Sequence, residues 1–151
     1  MFRISTKGRY GTRLMINLAQ HYQEGSAARS LKDVSEEEGI SIRYLEQIII
    51  PLRVHKLVKS VRGAGGGYTL AKLPAAIKLS EVLQAVEGTC CLVECLEDKN
   101  FCKRMPYCPA YEVWKEGTRM LKAYFDSITL QDLIKIAEKK SKRKPKAQRN
   151  Q

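Results

Sequence analysis

At 151 residues the chain is long enough for one folded unit with a helical appendage and a sizeable core. Its residues, 44% hydrophobic and 28% charged, include no apolar run near the roughly 18 residues of a membrane span, which excludes a transmembrane helix. The net charge of +11 is uneven, with eleven bases against six acids in residues 1–70, nine against ten in 71–138 and seven against none in 139–151, so the middle is not expected to meet a polyanion, and the basic tail either attracts phosphates or serves only solubility.

The opening MFRISTKGRYGTRLMINLA lacks the apolar core and small-residue cleavage site of a secretory signal, and a cytoplasmic protein is expected. Tyr10, Leu14 and Leu18 recur at helical spacing and predict a first helix from Thr6 to Tyr22. A loop containing Gly25 and Ser26 follows. Ser30, three residues ahead of Asp33, reads as a capping box for a short second helix to about Glu38, and Gly39 supplies the left-handed turn that ends it. Ser41 then caps a third helix from Ile42 to about Ile50. Two short helices across a tight glycine turn form a helix-turn-helix. Pro51 has no N–H and is expected to kink or end the third helix, with Leu52 to Leu57 continuing as another turn.

Residues Val58 to Arg62 alternate, Gly63 to Gly67 can reverse the chain, and Tyr68-Thr69-Leu70 resumes the extended pattern, which together predict a β-hairpin. A hairpin directly after a helix-turn-helix makes a winged helix, with the glycines at the wing tip. After Pro74, Ser80 is expected to cap a helix through Val86 that Gly88 closes. A long helix from Pro109 to about Ile128 aligns Trp114, Thr118, Leu121, Phe125 and Ile128 in one apolar seam. Thr129 and Asp132 begin a last helix through Ile136, and KKSKRKPKAQRNQ is too charged to fold by itself and is expected to be disordered.

The expected class is therefore mainly α with a small β-hairpin. A winged helix-turn-helix spans 1–73, a connecting helix 74–88, a cysteine-bearing segment 89–108, dimerisation helices 109–138 and a basic tail 139–151. The seam carrying Trp114 and Phe125 either packs on its own domain, the default for an amphipathic helix, or meets a partner surface; the second reading is favoured and predicts a homodimer, whose two reading heads would face a palindromic operator in double-stranded DNA.

Cys95, Cys102 and Cys108 fall within 14 residues. An odd total of five cysteines cannot pair completely within one chain, and a reducing cytoplasm disfavours structural disulfides, which leaves metal or redox chemistry. Thiolates suit iron–sulfur clusters and zinc, and gaps of six and five residues are wider than the two-residue gaps of zinc ribbons, which favours the cluster. A thiol–disulfide switch and inert cysteines are the other readings. The fourth ligand is open among Cys90, Cys91, Tyr111 and an exogenous group. Cys90 and Cys91 also read as small hydrophobes at a helix end, and His21 and His55 as packed residues of the DNA-binding part.

On the third helix, Ser41, Arg43, Tyr44 and Gln47 lie near the end that enters a major groove; Arg43 can bind guanine or phosphate and Gln47 can pair with adenine. Glu46 on the same helix either accepts from cytosine N4, repels wrong sequences, or serves as a cap or salt-bridge partner. Arg62 is positioned to reach a minor groove from the wing, while Gly63 and Gly65 let the wing backbone approach the sugar-phosphate chain. Lys59, with Lys7, Arg9 and Arg13, suits phosphate contacts. A nucleotide-binding loop is discounted because G-K-[ST] is absent and a hairpin, not a strand-to-helix turn, surrounds the glycines.

STKGRYG at Ser5 to Gly11, GISIRYLEQI at Gly39 to Ile48, LVKSVRGAGGGYTLA at Leu57 to Ala71, and the cysteine triplet followed by Trp114 resemble the iron–sulfur cluster regulator (IscR) family, whose relatives include the nitric-oxide-sensing repressor NsrR and the cysteine-metabolism repressor CymR. The resemblance covers about residues 1–137. It implies a homodimeric transcription factor, a repressor of palindromic operators, in which a 2Fe-2S or 4Fe-4S cluster held by Cys95, Cys102, Cys108 and one further ligand senses iron–sulfur status, redox state or nitric oxide. It also favours sequence discrimination as the role of Glu46. Two positions depart from the family pattern: a histidine ligand is replaced by Tyr111, and an N-terminal acidic ligand by Arg9. The alternative is a regulator of the same fold without a cluster, responding by cysteine oxidation or through a partner protein. An enzyme with a nucleophilic cysteine is a distant third, because neither histidine is near a cysteine in sequence.

Overall fold

The computed structural model describes residues 3–22 and 28–143. The expected loop at Gly25 and Ser26 and residues 144–151 of the basic tail lie outside them. Helix α1 spans Thr6–Gln20, and Ser5 caps it by accepting the Gly8 N–H at 3.1 Å. Helix α2 spans Leu31–Glu38, with the Ser30 hydroxyl accepting the Asp33 N–H at 3.1 Å and Gly39 closing it at φ 64°. Helix α3 spans Ile42–Val54, with Ser41 accepting the Tyr44 N–H at 3.2 Å. These caps satisfy N–H groups that no carbonyl inside the helix can reach, so the serines fix where the three helices start and Gly39 fixes where α2 stops.

Pro51 does not end α3, as the sequence suggested; the helix runs through it to Val54. One backbone hydrogen bond is lost there, but Leu52 is fully buried just beyond, and its burial favours keeping the helical path. Strands β1 (Val58–Val61) and β2 (Gly67–Leu70) form the expected antiparallel hairpin, with Val58 opposite Leu70 and Val61 opposite Gly67. Arg29 adds a third edge that the sequence did not reveal, exchanging backbone hydrogen bonds of 2.8 Å in both directions with Tyr68.

Helix α4 spans Leu79–Glu87, and its cap differs from expectation. Glu81 reaches back to accept the Lys78 N–H at 2.8 Å, while the Ser80 hydroxyl donates to Asp126 and ties α4 to α5 (Pro109–Asp126). Helix α6 (Leu130–Arg143) begins with the reciprocal Thr129–Asp132 bonds that the sequence predicts. It extends beyond Ile136 and across the first five residues of the segment expected to be disordered. Lysine and arginine are good helix formers, and at a helix C-terminus their charge complements the backbone dipole.

The core joins Leu14, Met15 and Leu18 of α1 to Leu45, Ile48 and Leu52 of α3, with Val82 and Val86 of α4. Leu130, from the start of α6, is fully buried in the same core and donates its N–H to Ile77 O at 3.0 Å. The second half of the chain is therefore stitched to the head by backbone as well as by side chains. Between α1 and α2, Asn17 is 2% exposed and donates to Glu37 at 2.8 Å and to Glu38 at 3.2 Å. That hydrogen bond, opposed by partial burial and joined by Arg29, holds the Glu37 carboxyl below its usual range.

Helix α5 presents two faces. Thr118, Leu121, Phe125 and Ile128 of the expected seam are half-buried, whereas Val113, Met120 and Tyr124, seven and four residues apart, are each at least 60% exposed. Phe125 is thus partly covered by its own chain, whereas Trp114 of the same seam is exposed.

Candidate DNA interface and cysteine segment

The first turns of α3 project from the head. Arg43, Glu46 and Gln47 are exposed, and Tyr44 is half-buried, packed edge-on against Tyr10 of α1 with ring centroids 5.6 Å apart. The helical period alternates these positions with the fully buried Leu45 and Ile48, so burial on one face compels exposure of the other. Glu46 has no ion-pair or hydrogen-bond partner among the described residues, so the cap and salt-bridge readings of this side chain are not realised.

Lys59 on β1, Arg62 immediately after it, and Gly63 and Gly65 in the turn are exposed as well. The turn is closed by the Gly66 N–H donating to Gly63 O at 2.9 Å. Other expected phosphate contacts have partners within the chain. Arg13 pairs with Glu38 at 3.1 Å and lies over the Tyr10 ring, and Arg9 lies over the same ring from the other position. Lys7 is exposed.

The three triplet cysteines occupy one segment of single turns. Cys95 lies in a 3₁₀ turn (Glu94–Leu96), Cys102 in the following loop, and Cys108 directly before Pro109 at the start of α5. All five cysteines are unpaired and half-buried. The segment leans on α5, where the Leu92 N–H donates to the Thr118 hydroxyl at 3.2 Å and Leu92 covers Gly117. Cys91 shares a shallow cleft with Cys95.

Three thiols on such a segment are suitable donors for a soft metal or an iron–sulfur cluster. As folded, however, no three Cys, His, Asp or Glu side chains form a group that would hold a metal ion among the described residues. The donor types fit a cluster; their arrangement does not gather them. Burial, then the charge of Glu87, pushes the Cys90 thiol up, and burial, then Glu97, does the same to Cys91. A raised thiol disfavours the thiolate that a metal ligand or nucleophile requires. The histidine Nδ1 atoms face carbonyls of their own helices, Asn17 O and Pro51 O, each at 2.9 Å.

Sequence reasoning missed Ser5, Glu87 and Arg29. Ser5 could have been found by its cap spacing; Glu87 and Arg29 act through partners far along the chain.

A family model described as Rrf2, iron-dependent transcriptional regulator, matches residues 4–136. The HTH-type transcriptional regulator CymR of Bacillus subtilis is 44% identical over 136 residues, which cover 90% of this chain and 92% of that protein. Among solved structures, CymR, the global cysteine regulator of B. subtilis, superposes with a TM-score of 0.72 at 42% identity, over 90% of this chain and 98% of that one. IscR of T. potens superposes with a TM-score of 0.73 at 40% identity, over 91% of this chain and 90% of that one.

Proposed function

Because the chain belongs to the Rrf2 family of winged-helix transcriptional regulators, we propose that it is a cytoplasmic repressor, not an enzyme, that grips a palindromic operator as a homodimer and changes that grip with the state of its cysteine segment. The observation that carries the reading is the joint exposure of Arg43, Glu46 and Gln47 on the third helix and of Lys59 and Arg62 on the wing beside it. Ser41 and Tyr44 fix the start of the reading helix. Arg43 and Gln47 read purine edges, and Glu46 discriminates by accepting from cytosine or repelling other bases. Arg62 enters the minor groove, with Gly63 and Gly65 keeping the wing backbone close to the duplex. Arg62→Ala should weaken specific binding by about 1–3 kcal/mol in a fluorescence anisotropy titration, and unaltered affinity would remove the wing from the interface.

Dimerisation through the outer face of α5 is supported by the exposed stripe of Val113, Met120 and Tyr124. A Met120→Glu chain should sediment as a monomer and bind the full operator at least tenfold more weakly than the dimer. A wild-type sedimentation profile would exclude this face.

For the signal, the first reading is an iron–sulfur cluster, 2Fe-2S or 4Fe-4S, with Cys95, Cys102 and Cys108 as ligands. Such a cofactor supplies a centre whose charge and integrity change with iron supply, oxidants or nitric oxide. The three cysteines lie on turns with little helical structure of their own, so they can adjust their spacing without breaking a helix, and Cys108 adjoins the first turn of α5. The second reading, cysteine oxidation without a cluster, is supported by the five unpaired, half-buried thiols. Anaerobic reconstitution should give a coloured protein containing iron and sulfide whose operator affinity differs from that of the colourless form, and Cys102→Ala should lose both properties. Colourless wild-type protein with an unchanged gel shift defeats the cluster; an operator response to peroxide that a thiol reductant reverses then identifies the second reading.

A further inference from the structure

A cavity of about 400 Å³ lies where four parts of the chain meet: the residues before α1, the C-terminus of α4, the start of the cysteine segment and the inward face of α5. Ile4, Leu83, Leu121 and Phe125 give it apolar walls. Among the described residues lining it, the charged ones are Arg3 and Glu87. The volume lies within the range of small-molecule sites, which are mostly apolar with a few polar groups that set orientation. Thr89, Cys90 and Cys91 also line it, so the cavity is mixed, and one cation and one anion beside its apolar wall are complementary to a small zwitterion with an apolar body.

The cavity is also wired to the reading helix. Glu87 Oε1 accepts the Ser5 N–H at 2.9 Å and the Ser5 O–H at 2.8 Å, and the same Ser5 oxygen caps α1 through Gly8. Gly8 is fully overlain by Glu87, since a methyl group there would collide with Oε1. From the next turn of α1, Tyr10 packs against Tyr44 of α3. A charge that competes for Glu87 therefore competes with the cap of α1, the helix whose Tyr10 packs on the helix that carries Arg43 and Gln47.

We propose that this cavity binds a large apolar α-amino acid, its ammonium at Glu87, its carboxylate at Arg3 and its side chain between Leu83, Leu121 and Phe125, and that occupancy changes operator affinity. The binding is non-covalent, and although Cys90 and Cys91 also line the cavity, a test on the reduced, cluster-free chain keeps its success or failure separable from that of the cysteine signal.

The test uses the full chain, reduced and without added iron, in calorimetric titrations with L-leucine and L-phenylalanine. At least one should bind saturably, one molecule per chain. Isocaproate and isoamylamine, or hydrocinnamate and phenethylamine, each lacking one of the two charges, should bind about tenfold more weakly or worse, the loss expected of one charge-assisted contact. Arg3→Ala should weaken the amino acid while leaving the corresponding amine unaffected, a selectivity that general unfolding would not produce. The bound amino acid should shift operator affinity in an anisotropy titration, and its singly charged analogues should not. Absence of binding by both amino acids, or equal binding by the analogues, overturns the proposal, as does saturating occupancy with no change in operator affinity.

Discussion

Gly67→Ala should abolish tight operator binding while leaving the helical circular dichroism intact. Gly67 sits at φ 150°, and a methyl group added there would meet the Arg29 carbonyl at overlap distance. The obstacle is backbone, held by the two 2.8 Å bonds between Arg29 and Tyr68, so the hairpin must leave the head for alanine to fit. Strain from the backbone angle alone is worth about 1–3 kcal/mol, and loss of the third edge adds to it. Affinity should fall at least tenfold, and the melting temperature by several degrees at roughly 2–4 °C per kcal/mol. Gly65→Ala is the control for stability, since its methyl would meet nothing within 4 Å inside the chain, and its melting temperature should stay at the wild-type value whatever happens at the DNA. Equal behaviour of the two variants would mean that the wing is not anchored at Arg29.

Leu130→Ala should destabilise the protein as severely as a substitution in the centre of the head. Leu130 is fully buried, and its N–H is held by Ile77 O at 3.0 Å, so the side chain cannot swing out and the site cannot collapse around a smaller residue. Removing a buried leucine side chain costs about 2–5 kcal/mol, the transfer of its carbons plus the cavity left behind. Ile136, two turns further along α6 and 48% exposed, should cost well under about 1 kcal/mol when changed to alanine. Urea unfolding at one fixed chain concentration separates this from effects on association. A Leu130→Ala loss no larger than that of Ile136→Ala would show that α6 is not part of the core.

These two sites mark where sequence reading succeeds and where it stops. Ser30, Gly39, Ser41 and Thr129 sit within four residues of the groups they cap or the turns they allow, and alternation from Val58 with glycines after Arg62 predicts a hairpin without reference to the rest of the chain. The end of the third helix expected at about Ile50 and the cap expected of Ser80 differ from the structure for the same reason that local rules work. Each rule gives a local preference of a few kcal/mol or less, which burial of Leu52 or a bond from Ser80 to Asp126 can override.

The candidate site divides in the same way. Which side chains of α3 face outward follows from a 3.6-residue period, so Arg43, Glu46 and Gln47 were legible. The period of α5 showed one apolar seam, but not that its inner residues would be spent on α4 and the cysteine segment while Val113, Met120 and Tyr124 stayed exposed.

What the sequence determined by itself, then, is the set of helices, the wing, the outward face of α3 and the supply of thiols, all encoded by neighbours a turn or two apart. Only the tertiary structure decided that Arg29 would edge the wing, that Glu87 would hold Ser5 across 82 residues of chain, that Leu130 would close the core, and that the three thiols would lie together in sequence without converging in space. Those outcomes depend on which distant surfaces bury one another, a choice made by the summed area and hydrogen bonding of the whole core and not by any short stretch within it.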